Sequence, residues 1–405
     1  MTSWLSVIGI GEDGLPGLSG SSRKLIETAE ILIGGKRHLE MVQEFSGKKL
    51  TWCTPLSDTI ADIASYRGKR VCVLATGDPM WFGIGVTLGR TFNADEMMIV
   101  PALSAFSMAA AHMGWSLDRT ETITLHGRPL SNLARHLFPN ANWMILSENG
   151  ETPSAVANWL CERSFGSSEI TVLEHLGGER QRIRTCLAAD FAFDDVADLN
   201  TIAVQCVASE NANWQAQIPG LPDDEYIHDG QLTKREVRTA TLAALCPYPG
   251  ALLWDIGAGC GSVAIEWMRS AKNARAIAIE SSDKRVTMIA QNAEKFGVSD
   301  IRIIHGEAPQ VLPDASPDAV FIGGGIANGV VFDNAWEVLR AGGRMVANVV
   351  TIEGEARLHD LQKAHGGELV RIAVSRLGPI GGLHAWKPLM QVTQWQVTKS
   401  HKAGT

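Results

Sequence analysis

At 405 residues the chain is too long for one ordinary hydrophobic core, so it divides into two or three domains. Apolar residues make up 45% and charged residues 20%, the balance of a soluble globular protein, and no apolar run approaches the roughly 20 residues of a membrane span. The formal net charge of −8 argues against nucleic-acid or membrane-surface partners, which need a basic footprint, but leaves room for a basic pocket that takes an acidic small molecule. Seven scattered cysteines with no Cys-x-x-Cys fit reduced thiols and no metal site. The short apolar run Trp4 to Ile10 lacks a basic leader and meets Glu12 and Asp13, so a cytoplasmic location is expected.

The opening, Trp4-Leu-Ser-Val-Ile-Gly-Ile-Gly-Glu-Asp-Gly, is a buried-type strand entering a glycine turn. Ser21 and Ser22 can cap a helix through Glu30, and a strand follows at Ile31. That strand ends in Gly34 and Gly35, where a dinucleotide fold would place an acid for the ribose, so this is no ordinary Rossmann site. Val71 begins a second buried strand; Gly77 permits close approach, Asp78 can cap, and Pro79 suits a first helical turn. A third strand-end turn, Val100-Pro-Ala-Leu-Ser-Ala, precedes a helix of small residues. Three such turns on one sheet would line a common crevice.

Strands then follow near Ile123, Trp143 and Ile170, with a helix from Thr152 to about Arg163. Arg180, Arg182 and Arg184 alternate, which puts three guanidinium groups on one face of a strand, either as a carboxylate clamp or as a solvated edge. A strand at 200–208 closes a first domain, 1–208. Residues 209–226, with Asn-Ala-Asn, Pro-Gly and three acids, are expected as a linker. In the second domain, 227–398, Thr233 can cap a helix with Glu236 at capping-box spacing. Strands near 251–257, 274–280, 301–306, 319–324 and 342–350 alternate with helical patterns, and a pair near 368–377 and 390–398 ends the domain. The connection 378–388 between that pair is too long for a tight hairpin, and the tail 399–405 is expected to be flexible.

The most informative stretch is Leu252 to Trp267, where a strand ends in Asp255 and a loop carries Gly257, Ala258, Gly259, Cys260 and Gly261 before a helix. Alone, such a turn could hold a dinucleotide, another nucleoside cofactor, or nothing. Its spacing departs from G-x-G-x-x-G, because position 262 is serine. Asp255 would oppose a pyrophosphate but welcome a cation, which favours S-adenosylmethionine with its sulfonium and ammonium. Glu280, ending the next strand, is placed for both ribose hydroxyls, and Glu307, in His305-Gly-Glu-Ala-Pro, for the adenine.

On these residues the chain resembles two known families. Val7 to Gly14, the ATGDP run at Ala75 with its later glycines, and Pro101 to Ala111 resemble the tetrapyrrole (corrin and porphyrin) methylases. The runs from Leu125 and Leu173 are similar to their precorrin C-5 branch. The stretch from His228 through Asp255 to Pro309 resembles the decarboxylating precorrin C-15 methylases. The resemblance implies an α/β chain: a two-lobed tetrapyrrole-methylase domain, then a seven-stranded Rossmann-like methyltransferase domain. It implies methylation of precorrin-6Y at C-5 and C-15 with loss of the ring-C acetate carboxyl, giving precorrin-8X in cobalamin synthesis. S-adenosylmethionine would bind at two sites. One would be formed by Ile10, Gly77, Asp78, Ser104 and Ala105. The other would use Thr233, the 257–261 turn, Glu280 and Ala308. The acid/base role of the first loop would fall to Asp13 or Glu12, with Asp13 taken as the candidate. A homo-oligomer is expected, since relatives of both halves assemble.

A meso carbon is already a nucleophile through its enamine nitrogen, so alignment and removal of one proton remain for the protein. Arg180, Arg182, Arg184 and Lys387 are the candidates for the substrate carboxylates, with Arg128, Lys234 and Arg376 behind them; His384 and Trp386 could protonate or stack on the ring. A rival, an RNA- or protein-directed methyltransferase, would need a basic, aromatic-studded groove that the charge disfavours.

Overall fold

The first strand, Leu5–Ile10 (β1), is buried along its whole length, which an apolar run sustains in the middle of a sheet covered on both faces. The computed structural model describes residues 3–327 and 329–400. In it Ile31–Gly34 (β2), Lys48–Thr51 (β3), Val71–Thr76 (β4) and Met97–Val100 (β5) join β1 in a parallel sheet of order β3-β2-β4-β1-β5. Because β4 and β5 flank β1, the turns after these three strands leave the sheet side by side. The helix Gly20–Glu27 is capped by Ser19 rather than by Ser21 or Ser22, and it ends before Glu30. The Ser19 hydroxyl accepts the Ser22 amide at 3.1 Å from an extended residue, while both later serines already lie in the first turn.

A second sheet contains Glu121–Thr124 (β6), Asn142–Leu146 (β7), Glu169–Glu174 (β8), Arg182–Leu187 (β9) and Asn200–Gln205 (β10). Its order is β6-β7-β10-β8-β9, parallel only between β6 and β7. Both sheets belong to one compact unit, which runs to Leu130 and resumes over Phe138–Asn213. The other unit takes Ser131–Leu137 and everything from Trp214 onward.

In that unit the strands Leu252–Ile256 (β11), Arg275–Glu280 (β12), Arg302–His305 (β13), Ala319–Ile322 (β14), Arg344–Val349 (β15) and Glu368–Ile372 (β16) come first. Ser375–Ile380 (β17), Leu383–Pro388 (β18) and Val392–Thr398 (β19) follow. Seven of them form a sheet of order β13-β12-β11-β14-β15-β19-β16, parallel except where β19 pairs with β15 and β16. Neighbouring side chains on β11 face opposite layers: Leu253 packs with Trp267 and Phe296, Trp254 with Phe332 and Trp395. The strand expected at 368–377 stops at Ile372, and its last residues join the expected connection in a two-stranded hairpin, β17–β18, with Gly381 at φ +56 in its turn.

The boundary expectations change in three places. Residues 214–226 are no free linker, since Leu221 and Tyr226 are buried in the second unit. Glu266, 1% exposed, accepts the amides of Gly220 and Leu221 at 2.7 and 3.1 Å, the Tyr226 hydroxyl at 3.0 Å and the Arg238 Nε at 2.6 Å. Asp223, one of the acids that suggested a solvated linker, pairs instead with Arg238 and Arg376. Thr233 does not cap the following helix, Arg235–Leu245, because the cap residue is Lys234 and the Thr233 carbonyl accepts Arg238 Nη1 at 2.6 Å. Of the expected flexible tail, 401–405 lies outside the described residues, while Lys399 Nζ is bound to the carbonyls of Trp336, Glu337 and Leu339.

Glu266→Ala would leave Arg238 and three further donors without their acceptor, a loss of about 3–5 kcal/mol for the second unit. Calorimetry of the whole chain should show one transition lowered and the other unmoved, and Glu266→Gln, which keeps an acceptor oxygen, should be milder.

Candidate functional site

In the second unit the turn after β11 is forced by crowding. A Cβ on Gly257, at φ +72, would stand 3.1 Å from the Gly324 amide nitrogen. Gly259 and Gly261 also have positive φ, so the main chain folds tightly between the neighbouring strand ends. On the adjacent strand Glu280 is held rigidly, Oε2 accepting the Gly259 amide at 2.8 Å and Oε1 the Ser282 amide at 3.0 Å. Its carboxylate keeps lone pairs for a diol. These groups open on a cavity of about 850 Å³, which Thr233, Gly257, Ala258, Gly259, Glu280, Glu307 and Ala308 all line.

Three residues expected at the cofactor do not line it. Asp255 is 1% exposed and faces the helix start behind the turn, where Oδ2 accepts the Ala264 amide at 3.0 Å. Its Oδ1 has no hydrogen-bond partner among the described residues. Burial pushes this carboxyl up to about 7; the Ala264 amide counters that and the Glu280 charge adds to it. Cys260 is buried too, its thiol pushed up to about 11 chiefly by desolvation. Gly261 caps the helix Ser262–Ser270 from the left-handed region. Sequence reading also missed Gly323, Gly324 and Gly325, which line the cavity beyond β14. Their triple-glycine run after a buried strand is the signal that could have found them. Lys234, Asn348, Leu389 and Met390 line it as well. His384 and Lys387 lie exposed on β18 and do not.

In the first unit Ile10, Gly77, Ser104 and Ala105 are drawn together by backbone contacts. The Gly77 amide donates to the Ile10 carbonyl at 3.1 Å, and the Gly77 carbonyl accepts the Ala102 amide at 3.1 Å. Ser104 caps the helix Ala105–Met113 by accepting the Ser107 amide at 3.0 Å. Asp78 turns back to the Met80 amide at 2.8 Å. Asp13 is exposed and folded into its own turn, so close that a Cβ on Gly17 would overlap its carboxylate. The acid that points inward is Glu12, whose side chain is 9% exposed.

The three alternating arginines do not form a free clamp. Arg182 and Arg184 share Glu174 and Asp195, and Arg184 also lies 4.4 Å from the Phe193 ring centre. Arg180 precedes β9 and is exposed.

The Asp255 carboxyl gives a pH signature. Its folded value near 7 exceeds the ordinary 3.8, so between those values the folded state holds the extra proton. Stability is therefore full below the lower value and declines as pH rises through the upper one. Asp255→Asn keeps an oxygen for Ala264 and removes the slope. Melting of the ligand-free second unit should shift in the variant's favour from about pH 5 to about pH 8.

The chain matches two family models, one described as tetrapyrrole (corrin/porphyrin) methylases over residues 5–192 and one as a precorrin methyltransferase domain over 224–399. A Sinorhizobium protein named precorrin-6Y C(5,15)-methyltransferase [decarboxylating] is 45% identical over 98% of this chain and 97% of its own length. A Mycobacterium tuberculosis protein of the same name is 40% identical over 97% and 99%. The crystal structure of the C-terminal domain of the Rhodobacter capsulatus precorrin-6Y C5,15-methyltransferase is 42% identical, covering 46% of this chain and all of that one, with a TM-score of 0.43. With two whole-length relatives of one name and a matching domain order, the chain belongs to the decarboxylating precorrin-6Y C(5,15)-methyltransferase family.

Proposed function

We propose that the chain methylates precorrin-6Y at C-5 and C-15 and releases the ring-C acetate carboxyl as CO2, giving precorrin-8X, with one S-adenosylmethionine site in each unit. The observation that carries this reading is the pair of separate glycine-turn sites, each at the carboxyl edge of its own parallel strands. The first unit takes C-5, and the second takes C-15 and the decarboxylation, as the family resemblance of each half implies.

The residues fit S-adenosylmethionine. The Gly257 turn leaves no Cβ in the way, Glu280 offers a fixed carboxylate, and the unpartnered Asp255 oxygen places latent negative charge behind the turn. When bound, this group supplies an electrophilic methyl on a sulfonium. Glu280 would hold the ribose diol, Thr233 and the 257–259 main chain the aminoacyl end, and Glu307 and Ala308 the adenine. In the first unit the corresponding holders would be the backbone at Ile10 and Gly77, with Asp78, Ser104 and Ala105. The protein's share of the methyl transfer is to fix the meso carbon in line with that methyl and to exclude water. In the decarboxylation, the C–C bond to the carboxyl breaks and its electron pair passes into the conjugated macrocycle. Val374 and Leu389, both half-buried, give the cavity an apolar stretch for the ring.

The hairpin β17–β18 and its exit present Leu383, Trp386 and Met390 with 70–74% of their surface exposed. A homo-oligomer that covers this apolar hairpin completes the reading. No described helix is long and apolar enough to cross a membrane, and a cytoplasmic location goes with the proposal.

Calorimetric titration with S-adenosylhomocysteine should show two sites per chain. Glu280→Ala should remove one, and the full-length variant should add a single methyl without releasing CO2; a wild-type stoichiometry of one would sink the two-site reading. Light scattering should find an oligomer that Leu383→Asp with Trp386→Asp breaks down, and an unchanged mass would rule out the hairpin as the contact.

A further inference from the structure

A polar cluster in the first unit joins Glu12, the inward-pointing acid of the first loop, and Arg180 to Arg37 and His175, which have had no role so far. The Glu12 side chain follows β1 and reaches the second sheet, where its Oε2 lies 2.8 Å from His175 Nδ1. Its other oxygen is ion-paired with Arg37, and Arg180 Nη2 stands 3.9 Å from Oε2. Arg37 also donates to the Thr76 hydroxyl at 2.9 Å, at the end of β4 and next to Gly77. Burial pushes the Glu12 carboxyl up, but the His175 hydrogen bond and Arg37 together outweigh it and hold the group below the ordinary carboxylate range.

His175 follows β8 at φ +46, a backbone region that a residue with a Cβ enters at a cost. The loop it begins crosses both elements of the first site. A Cβ on Gly178 would stand 2.7 Å from the Glu12 Cβ, and one on Gly177 would stand 3.3 Å from the Met108 sulfur in the helix that Ser104 caps. An ionised carboxylate on Nδ1 fixes the neutral tautomer with its proton on that nitrogen and the lone pair on Nε2. No described residue hydrogen-bonds Nε2. A carboxylate–imidazole pair of this kind accepts a proton and stabilises the imidazolium that results.

We infer that His175 is the proton acceptor of the C-5 methylation and that Glu12 is its positioning residue; this rests on the reading of the first unit as the C-5 methylase. As the new C–CH3 bond forms and the sulfonium S–CH3 bond breaks, C-5 carries both a methyl and a hydrogen, and the conjugated system is one unit more positive. The C5–H bond then breaks, its electron pair returns to the conjugated system, and the proton passes to Nε2. The 14% of the His175 side chain open to solvent lets the proton leave afterwards. The charged groups facing the imidazole are Glu12 and, across that carboxylate, Arg37 and Arg180. His38 lies behind Arg37, with its Nε2 3.1 Å from that guanidinium, and Glu174 is taken up by Arg182 and Arg184.

The test uses the full-length enzyme with labelled methyl donor, counting methyls and CO2, with S-adenosylhomocysteine calorimetry beside it. Asparagine tolerates the positive φ, so His175→Asn should fold and keep both binding sites. Its C-5 transfer should fall by about 100-fold, while C-15 methylation and CO2 release, measured in the same chain, should not change. The wild-type C-5 rate should rise with pH along one limb, and His175→Asn should lose that limb. Glu12→Gln should shift the limb to lower pH, because the carboxylate no longer stabilises the cation. A His175→Asn enzyme within about threefold of wild type at C-5, or one that keeps the acid limb, overturns the inference. Should His175→Asn lose the first binding site, His175→Gly with added imidazole decides: restored C-5 transfer supports the role and none overturns it. Gly77→Val separates the two readings. If it still yields two methyls, the assignment of C-5 to this unit falls and takes the inference with it. One methyl from Gly77→Val beside an unimpaired His175→Asn overturns the inference alone.

Discussion

Where neighbouring parallel strands release their chains at the carboxyl edge, two backbones pass within contact distance, and both sites depend on that crowding. A Cβ on Gly9 would lie 1.9 Å from the Gly77 carbonyl oxygen, and one on Gly257 3.1 Å from the Gly324 nitrogen. A side chain would collide at Gly9 and would be strained at Gly257, whose φ is +72, so the floor of each site is main chain. Such a floor has no rotamers to order when a ligand arrives, and the helix starts beside it supply amide donors. The walls are then left to residues on the following turns, as Glu280 and the 306–308 turn are in the second unit.

The seven-stranded sheet is legible in the sequence because each parallel strand is an apolar run and each crossover carries helical spacing. Glu280 and the glycine turn are legible because their positions follow from strand ends alone. Two of the misses share a cause, a charged partner that no local pattern points to. The acid Asp223 suggests solvent until Arg238 and Arg376 appear beside it, and three alternating arginines suggest a clamp or a solvated edge until Glu174 and Asp195 take up Arg182 and Arg184. The β17–β18 hairpin escapes for another reason. Apolar Leu377, Ile380, Leu383 and Trp386 are all exposed, so the inward-outward alternation that marks a strand is missing. Between the adjacent acids Glu12 and Asp13, only the path of the turn decides which one points inward.

Two sequestered carboxylates show how the same residue chemistry is set to opposite tasks. Asp255 has one amide donor and one unpartnered oxygen, and burial holds it near 7. Its negative charge is uncompensated, so a cation arriving nearby stabilises the ionised form and is itself stabilised. Glu12 is already ionised against Arg37 and bonded to His175, so it has little to offer a second cation. What it retains is direction, since one oxygen fixes a ring nitrogen and thereby the face the imidazole presents. In a chain of net charge −8, the number of acids therefore says little about where cations go. The deciding quantity at each carboxylate is how much of its charge the protein has already neutralised, and by that measure Asp255 is suited to attracting a cationic donor and Glu12 to steering a proton.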